Sequence, residues 1–307
     1  MIRLKATITI ILMLLSAHTL RAGEPGTSGF LFLRLGNGAR AGGMGEAFTA
    51  VADDVTGMHF NPAGLAGIEK VELNVTHSEW LMGIRFEQVS IANEMLGGAV
   101  GFNFTGLYYG DLERRGNFPT VTPDGTFSPY DLGASLGYGR DILPDLSAGM
   151  SAKLLYQRID FESATGWAVD LGIIHRSRIE GMTFAVSLLN LGPQAKFVEE
   201  KFYPPFQTRL GAAYEAEERW MKGKVTLSGD FLYSNDTDEK VLLGMEYFYK
   251  ESLAVRFGYK SGYYSQGATM GIGVVYDRLR FDYAFMPIDF DLGNSHRFSI
   301  NVFSSPL

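Results

Sequence analysis

The chain has no cysteine, which excludes disulfides, thiolate metal sites and cysteine nucleophiles. Charge is also scarce: 20% of the 307 residues carry one, and the balance is acidic, at -7. A nucleic-acid partner would call for a basic surface, so that class is set aside. The five histidines show no metal-ligand spacing. Neither a G-x-S-x-G elbow nor an H-E-x-x-H pair occurs. No metal, cofactor or catalytic constellation is therefore expected. His296 beside Ser295 and His175 beside Asp170 are the only acid-base neighbours, and each reads equally well as a polar rim residue. Beyond the first 22 residues no run of even 15 is uniformly apolar, which leaves no membrane-spanning helix there.

What is present is apolar content, 46% of the residues with 13% aromatic, together with 37 glycines. That suffices for a chain folded throughout. At the start, Arg3 and Lys5 precede an apolar core from Ile8 to Leu15, and Leu20-Arg21-Ala22 ends on a small residue. This is the build of an export signal cleaved near Ala22. With no cysteine after it, a lipid anchor is excluded. The organisation read from the sequence is a signal over 1–22, a Gly-rich plug over 23–69 and a wall over 70–307.

The wall is a series of short alternating segments. Val71, Leu73 and Val75 alternate with Glu72, Asn74 and Thr76; Val100, Phe102 and Phe104 with Gly101, Asn103 and Thr105; Phe298, Ile300 and Val302 with Arg297, Ser299 and Asn301. A period of two is the signature of a strand with unlike faces. One face is greasy and aromatic at its ends, the other rich in Gly, Ser, Asn and charges of both signs. A soluble sandwich or propeller would show its polar face to bulk water, with more Lys, Glu and Thr. Crowded small polar residues suit a lumen instead. The pattern and the export signal predict an all-β fold, a 14-stranded antiparallel transmembrane β-barrel with an N-terminal lumenal plug, or hatch. Outer-membrane lipid is then its first partner.

Short connections follow the even strands, at Lys250-Glu251 and Asp277 for example, and longer ones follow odd strands at Gly110 to Pro129, Asp160 to Gly166 and Leu191 to Phe206. An even count lets the sheet close with both termini on one side. In the second strand Ile84 and Phe86 fall out of phase with Val89 and Ile91, which predicts a bulge at Glu87-Gln88.

The plug stretch reads GARAGGMGEAFTAVADDVTGMHFNPAGLAG from Gly38 to Gly67. Gly36 to Ala41 fits G-x-G-x-x-A on paper, but an antiparallel meander has no crossover helix to make a dinucleotide site. Gly42, Gly43 and Gly45 permit close backbone packing. Ala47 to Val51 is expected to form a short helix, and Asn61-Pro62-Ala63-Gly64 a turn that launches the first strand. Asp53 and Asp54 need partners in a lumen, and Arg40 adds a cation to the same stretch. Arg256, Arg278, Arg280 and Arg297 are the wall cations available to the acidic pair.

ARAGGMGEAFTAVADDVTGMHFNPAGLA resembles the N-terminal signature of the PorV/PorQ family of outer-membrane proteins, relatives of the FadL-type transporters. YAFMPIDFDLGNSHRFSINVF, from Tyr283 to Phe303, is similar to that family's last hairpin. The resemblance implies a 14-stranded, non-enzymatic barrel in the bacterial outer membrane whose N-terminal segment folds into the lumen. It implies a secretion-associated role, binding the C-terminal sorting domain of type IX substrates, or FadL-like passage of hydrophobic small molecules. For the first role, Phe118, Phe127, Phe197, Phe202, Tyr203 and Phe206 on the long loops offer apolar contact surface for a secreted protein, or serve as membrane-rim aromatics.

Overall fold

A computed structural model of the chain describes residues 26–119, 121–218, 222–290 and 292–305. The expected export signal lies outside the described residues. Fourteen antiparallel strands form one closed barrel. In chain order they are β1 (Glu72–Glu79), β2 (Arg85–Met95), β3 (Gly98–Tyr108), β4 (Tyr130–Leu143), β5 (Leu146–Ile159), β6 (Glu162–Arg176), β7 (Met182–Leu191), β8 (Gln207–Glu218), β9 (Gly223–Ser234), β10 (Thr237–Tyr249), β11 (Leu253–Ser261), β12 (Ala268–Tyr276), β13 (Leu279–Pro287) and β14 (Asn294–Phe303). The barrel closes where β1 pairs with β14, from Glu72 opposite Phe303 to Glu79 opposite His296. Closure leaves no strand edge unpaired, the condition for a sheet to stand in lipid.

The faces are inverted relative to a soluble protein. Lys153 is 7% exposed while its neighbour Leu154 is 70% exposed. Asn74, Thr76, Ser90, Asp170, Arg256 and Arg297 are buried inward, whereas Val75, Phe102, Trp167, Phe257 and Ile300 face out. Because successive residues of a strand point to opposite sides, that inversion is written directly into the sequence. Among the described residues no helix is long and apolar enough to cross a membrane.

Three local expectations are corrected. No bulge breaks β2: its pairing with β1 and β3 runs without a shift, and Phe86 points into the lumen, fully buried among Phe30, Phe32, Leu107 and Leu155. The out-of-phase apolar residue was packing inward against the plug. The connection at Asp160 is tight, since β5 ends at Ile159 and β6 begins at Glu162. Asp160 takes the positive φ that such a turn needs. Finally, residues 47–51 form no helix: 47 and 48 are irregular and 49–51 a turn. The short helices are Leu31–Arg34, Ala39–Gly43, Val55–His59 and Pro62–Gly67.

These helices fill the lumen. The described N-terminal end lies at the rim carrying the long loops, where Gly26 donates to the Asp236 carbonyl and Gly29 to that of Tyr203. From there the segment descends through Phe30 and Phe32, packed on β2, β3, β5 and β6. Helix Ala39–Gly43 touches β11 to β14, and helix Pro62–Gly67 touches β3 to β6 near the opposite rim. Irregular backbone at membrane depth is tolerated when protein encloses it in this way.

Candidate functional site: the plugged lumen

The plug fits because glycine faces glycine. A Cβ on Gly43 would lie 3.0 Å from the Gly271 Cα, and one on Gly258 would lie 2.1 Å from the Gly45 amide. Backbone meets backbone there, leaving room for no side chain. Asn61 closes the lower end. It caps helix Pro62–Gly67 by accepting from the Ala63 amide at 3.0 Å, and its Nδ2 donates to the carbonyls of Thr49 and Ile173 at 3.2 Å each. The Asn-Pro-Ala-Gly element is thus a capped helix that also fastens the plug to β6.

The charged groups assemble into a closed ring of alternating sign. Arg40 meets Asp54 at 3.1 Å, and Asp54 meets Arg280 at 2.8 Å. Arg280 meets Asp282 at 2.9 Å, and Asp282 meets Arg256 at 2.8 Å. Arg256 meets Glu246 at 2.5 Å, and Glu246 returns to Arg40 at 2.8 Å. The Arg256–Asp282 step is a charge contact off hydrogen-bond alignment, leaving those two atoms without a hydrogen-bond partner among the described residues. The plug supplies Arg40 and Asp54; β10, β11 and β13 supply the rest. Asp53, exposed, also pairs with Arg40. Buried charges persist only when paired, and here each has two neighbours of opposite sign.

A second cluster sits beside the ring. Lys260 approaches the Glu46 carboxylate at 2.9 Å and Arg297 at 3.5 Å. Arg209 donates to the Glu46 carbonyl at 2.5 Å and pairs with Asp230 at 2.9 Å. Asp230 in turn accepts from the Thr49 hydroxyl at 2.6 Å and from the amides of Phe48 and Thr49. Burial pushes the Glu46 carboxyl up, but Lys260 and Arg297 outweigh it and hold it at about 2. Burial likewise opposes ionisation of Asp54, yet Arg280 and Arg40 hold it well below the usual carboxylate range. His59, with Lys153 near it, is held by burial and that charge down to about 3, so it is neutral at neutral pH.

Of the wall cations read from the sequence, Arg280 contacts the acidic pair directly. Arg256 acts through Glu246, and Arg297 binds Glu46 and the Gly38 carbonyl. Arg278 does not belong with them: it is exposed at the β12–β13 turn, where strand alternation no longer directs its side chain inward. Glu46, Glu246, Asp230, Arg209 and Asp282 were missed. Glu46 sits in the Gly-rich plug stretch and the other four are inward charges on the polar faces of wall strands; only the unusual concentration of charge at lumenal positions could have marked them.

The loop aromatics divide. Phe118 and Tyr203 are exposed, and Phe127 and Phe206 are half-buried. Phe197 and Phe202 fold over the apolar end of the lumen, Phe202 edge-on to Phe30 with ring centroids 5.1 Å apart. Read from the sequence as contact surface or membrane-rim aromatics, these two pack on the greasy Phe30–Phe32 end of the plug, which gives them a better surface than water does. His296 bonds and stacks on Tyr283, His175 meets the Asp145 carbonyl, and Asp170 pairs with Lys153, so neither histidine meets its neighbouring serine or acid. Among the described residues no three His, Asp or Glu are grouped to hold a metal.

Two cavities flank the plug. One of about 350 Å³ opens at the rim with the short turns, lined by Ala50, Asp53, Gly64, Ile174, Arg176 and Glu215. Another of about 230 Å³ lies toward the long loops, lined by Arg34, Glu46, Trp80, Lys240, Lys260 and Tyr263 among others. Glu46 borders one and Ala50 the other, so the two cavities meet opposite ends of plug residues 46–50.

The uncharacterised protein family UPF0164 matches residues 15–129. No curated protein matches the chain by sequence. Among solved structures, the barrel is similar to a deltaS2 mutant of the monoaromatic hydrocarbon channel TodX. The TM-score is 0.60 at 13% identity, over 87% of this chain and 97% of that one. It is also similar to the monoaromatic hydrocarbon channel CymD, at 0.58 and 12% over 91% and 98%. The Pseudomonas putida toluene transporter TodX gives 0.55 and 13% over 87% and 96%. At these identities the likeness is one of fold, including the hatch inside a 14-stranded wall.

Proposed function

We propose that the protein is a non-enzymatic outer-membrane channel of FadL-like type, passing small hydrophobic molecules by diffusion, with residues 26–71 as its gate. The observation that carries this reading is the pair of cavities against the plug, one bordered by Glu46 and the other by Ala50. A plug that merely braced the wall would have no need of chambers on both sides. Residues 46–49 are held by Asp230, by Arg209 and by the packing of Phe48 on Phe60, so opening requires this segment to leave those partners. The common fold with hydrocarbon channels supports the same conclusion.

A secretion-associated binding role rests on the resemblance of residues 39–66 and 283–303 to PorV/PorQ proteins. The inward folding of Phe197 and Phe202 weighs against it, since it removes apolar area from the loops. Reconstitution into liposomes tests the channel: entry of toluene or benzyl alcohol should exceed that into protein-free vesicles. Equal entry would refute it, and recovery of secreted proteins sharing a C-terminal domain on the intact barrel would revive the alternative.

A further inference from the structure

We propose that the cavity at the loop end is a binding site for small aromatic carboxylates, an inference that rests on the channel reading and names its substrate class. Three cations line this cavity, Arg34, Lys240 and Lys260, against one carboxylate, Glu46. Asp236 answers Arg34 and Glu46 answers Lys260 at 2.9 Å. Lys240 is left over: its ammonium donates to the Thr237 hydroxyl at 2.6 Å and the Asp238 carbonyl at 3.0 Å, and among the described residues it pairs with no carboxylate. Arg34 Nε is buried with no hydrogen-bond partner among them. An ammonium that no carboxylate touches among the described residues, although Asp236, Asp238 and Glu239 lie near enough to act on it, and an orphaned guanidinium donor at one cavity describe half of a charge-assisted contact.

The rest of the lining specifies the body of the ligand. Tyr263 lies between the two lysines, its ring centroid 5.1 Å from the Lys240 ammonium and 5.5 Å from that of Lys260. Trp80, Leu35 and Leu232 complete an apolar side. A planar ring set among them would hold its carboxylate toward Lys240 and Arg34. A volume of about 230 Å³ is below the range of drug-sized sites. It admits one ring with a short acid and leaves a long alkyl chain no room. An uncharged ring could fill the space, but it would exclude water from the Lys240 ammonium without bringing it a carboxylate, which disfavours it.

The test is calorimetric titration of the purified full-length barrel in detergent with sodium benzoate, its uncharged counterpart benzyl alcohol, and sodium phosphate. Benzoate should bind at least about tenfold more tightly than benzyl alcohol, the worth of one hydrogen bond to a charged group. Lys240→Gln should erase that margin and Lys240→Arg retain it, with heat-modified gel migration unchanged in both. Equal binding of benzoate and benzyl alcohol, or an unaltered margin in Lys240→Gln, would overturn the proposal. So would phosphate competing on equal terms, since the site would then read charge without the ring. Liposome entry separates this from the channel reading. If the margin is absent but benzyl alcohol enters proteoliposomes, only the carboxylate inference falls; if neither solute enters, the channel falls.

Discussion

Replacing Arg40 with methionine keeps an unbranched apolar stem and removes the charge from the ring. Arg40 is buried and bonds Asp53, Asp54 and Glu246. Breaking a buried ion pair from one side commonly costs about 3–5 kcal/mol, because the remaining charge is left without a counter-ion. Here the loss is softened: Asp54 keeps Arg280 and Glu246 keeps Arg256, while Asp53 is exposed to water. The lower end, about 3 kcal/mol, is therefore the expected cost, a change of roughly 100-fold in the docked-to-undocked ratio of the plug. None of it falls on the wall, since Arg40 takes no part in the strand ladder. Limited proteolysis should show the plug cut faster while the barrel fragment survives. Planar-bilayer conductance should rise, and heat-modified migration should stay as in the parent. The exposed partner offers a control, with Asp53→Asn shifting docking by no more than about 0.5 kcal/mol. If Arg40→Met left both proteolysis and conductance unchanged, the ring would not be what seats the plug.

Adding a methyl to Gly172 would place it 1.9 Å from Asn61 Oδ1, so Gly172→Ala should loosen the plug near Asn61 and raise conductance without unfolding the barrel. Asn61→Ala removes a helix cap, worth about 1 kcal/mol, and two further bonds to carbonyls; increased cleavage between residues 50 and 70 is the readout. Phe32→Ala opens a hole in the apolar cluster at the loop end and should cost about 3–5 kcal/mol, read as earlier loss of plug protection on heating. Acid should release the plug. Glu46, held at about 2 when folded against 4.5 ordinarily, stabilises docking above the higher value and loses that contribution as pH falls toward the lower. His59, held at about 3 against 6.5, takes up its proton first in the undocked state. Protease protection should thus be lost most steeply below about pH 4.5, where both groups act in the same direction, and a flat profile down to pH about 3 would contradict the ion-pair geometry.

The wall was legible in the amino-acid sequence because strand alternation is local. A residue such as Phe102 or Asn103 declares its side by its immediate neighbours, and fourteen such segments with short turns between them leave little but a closed barrel. Connections with no length to spare, such as Lys250-Glu251, fixed the pairing of consecutive strands for the same reason. The Gly-rich stretch also announced itself as something enclosed, since no solvent-facing segment needs so many small residues. The lumen was another matter. Phe86 looked like a slip of phase until the plug's Phe30 and Phe32 were seen to need it, and Arg278 looked inward by spacing although its turn carries it out. The ring that joins Arg40 and Asp54 to Glu246, Arg256, Arg280 and Asp282 connects residues up to 226 positions apart. So does the cavity in which Lys240 touches no carboxylate among the described residues. Alternation assigns each of these charges to the inside, but only closure of the barrel around the plug decides which of them meet, because their partners lie across the lumen and not along the strand.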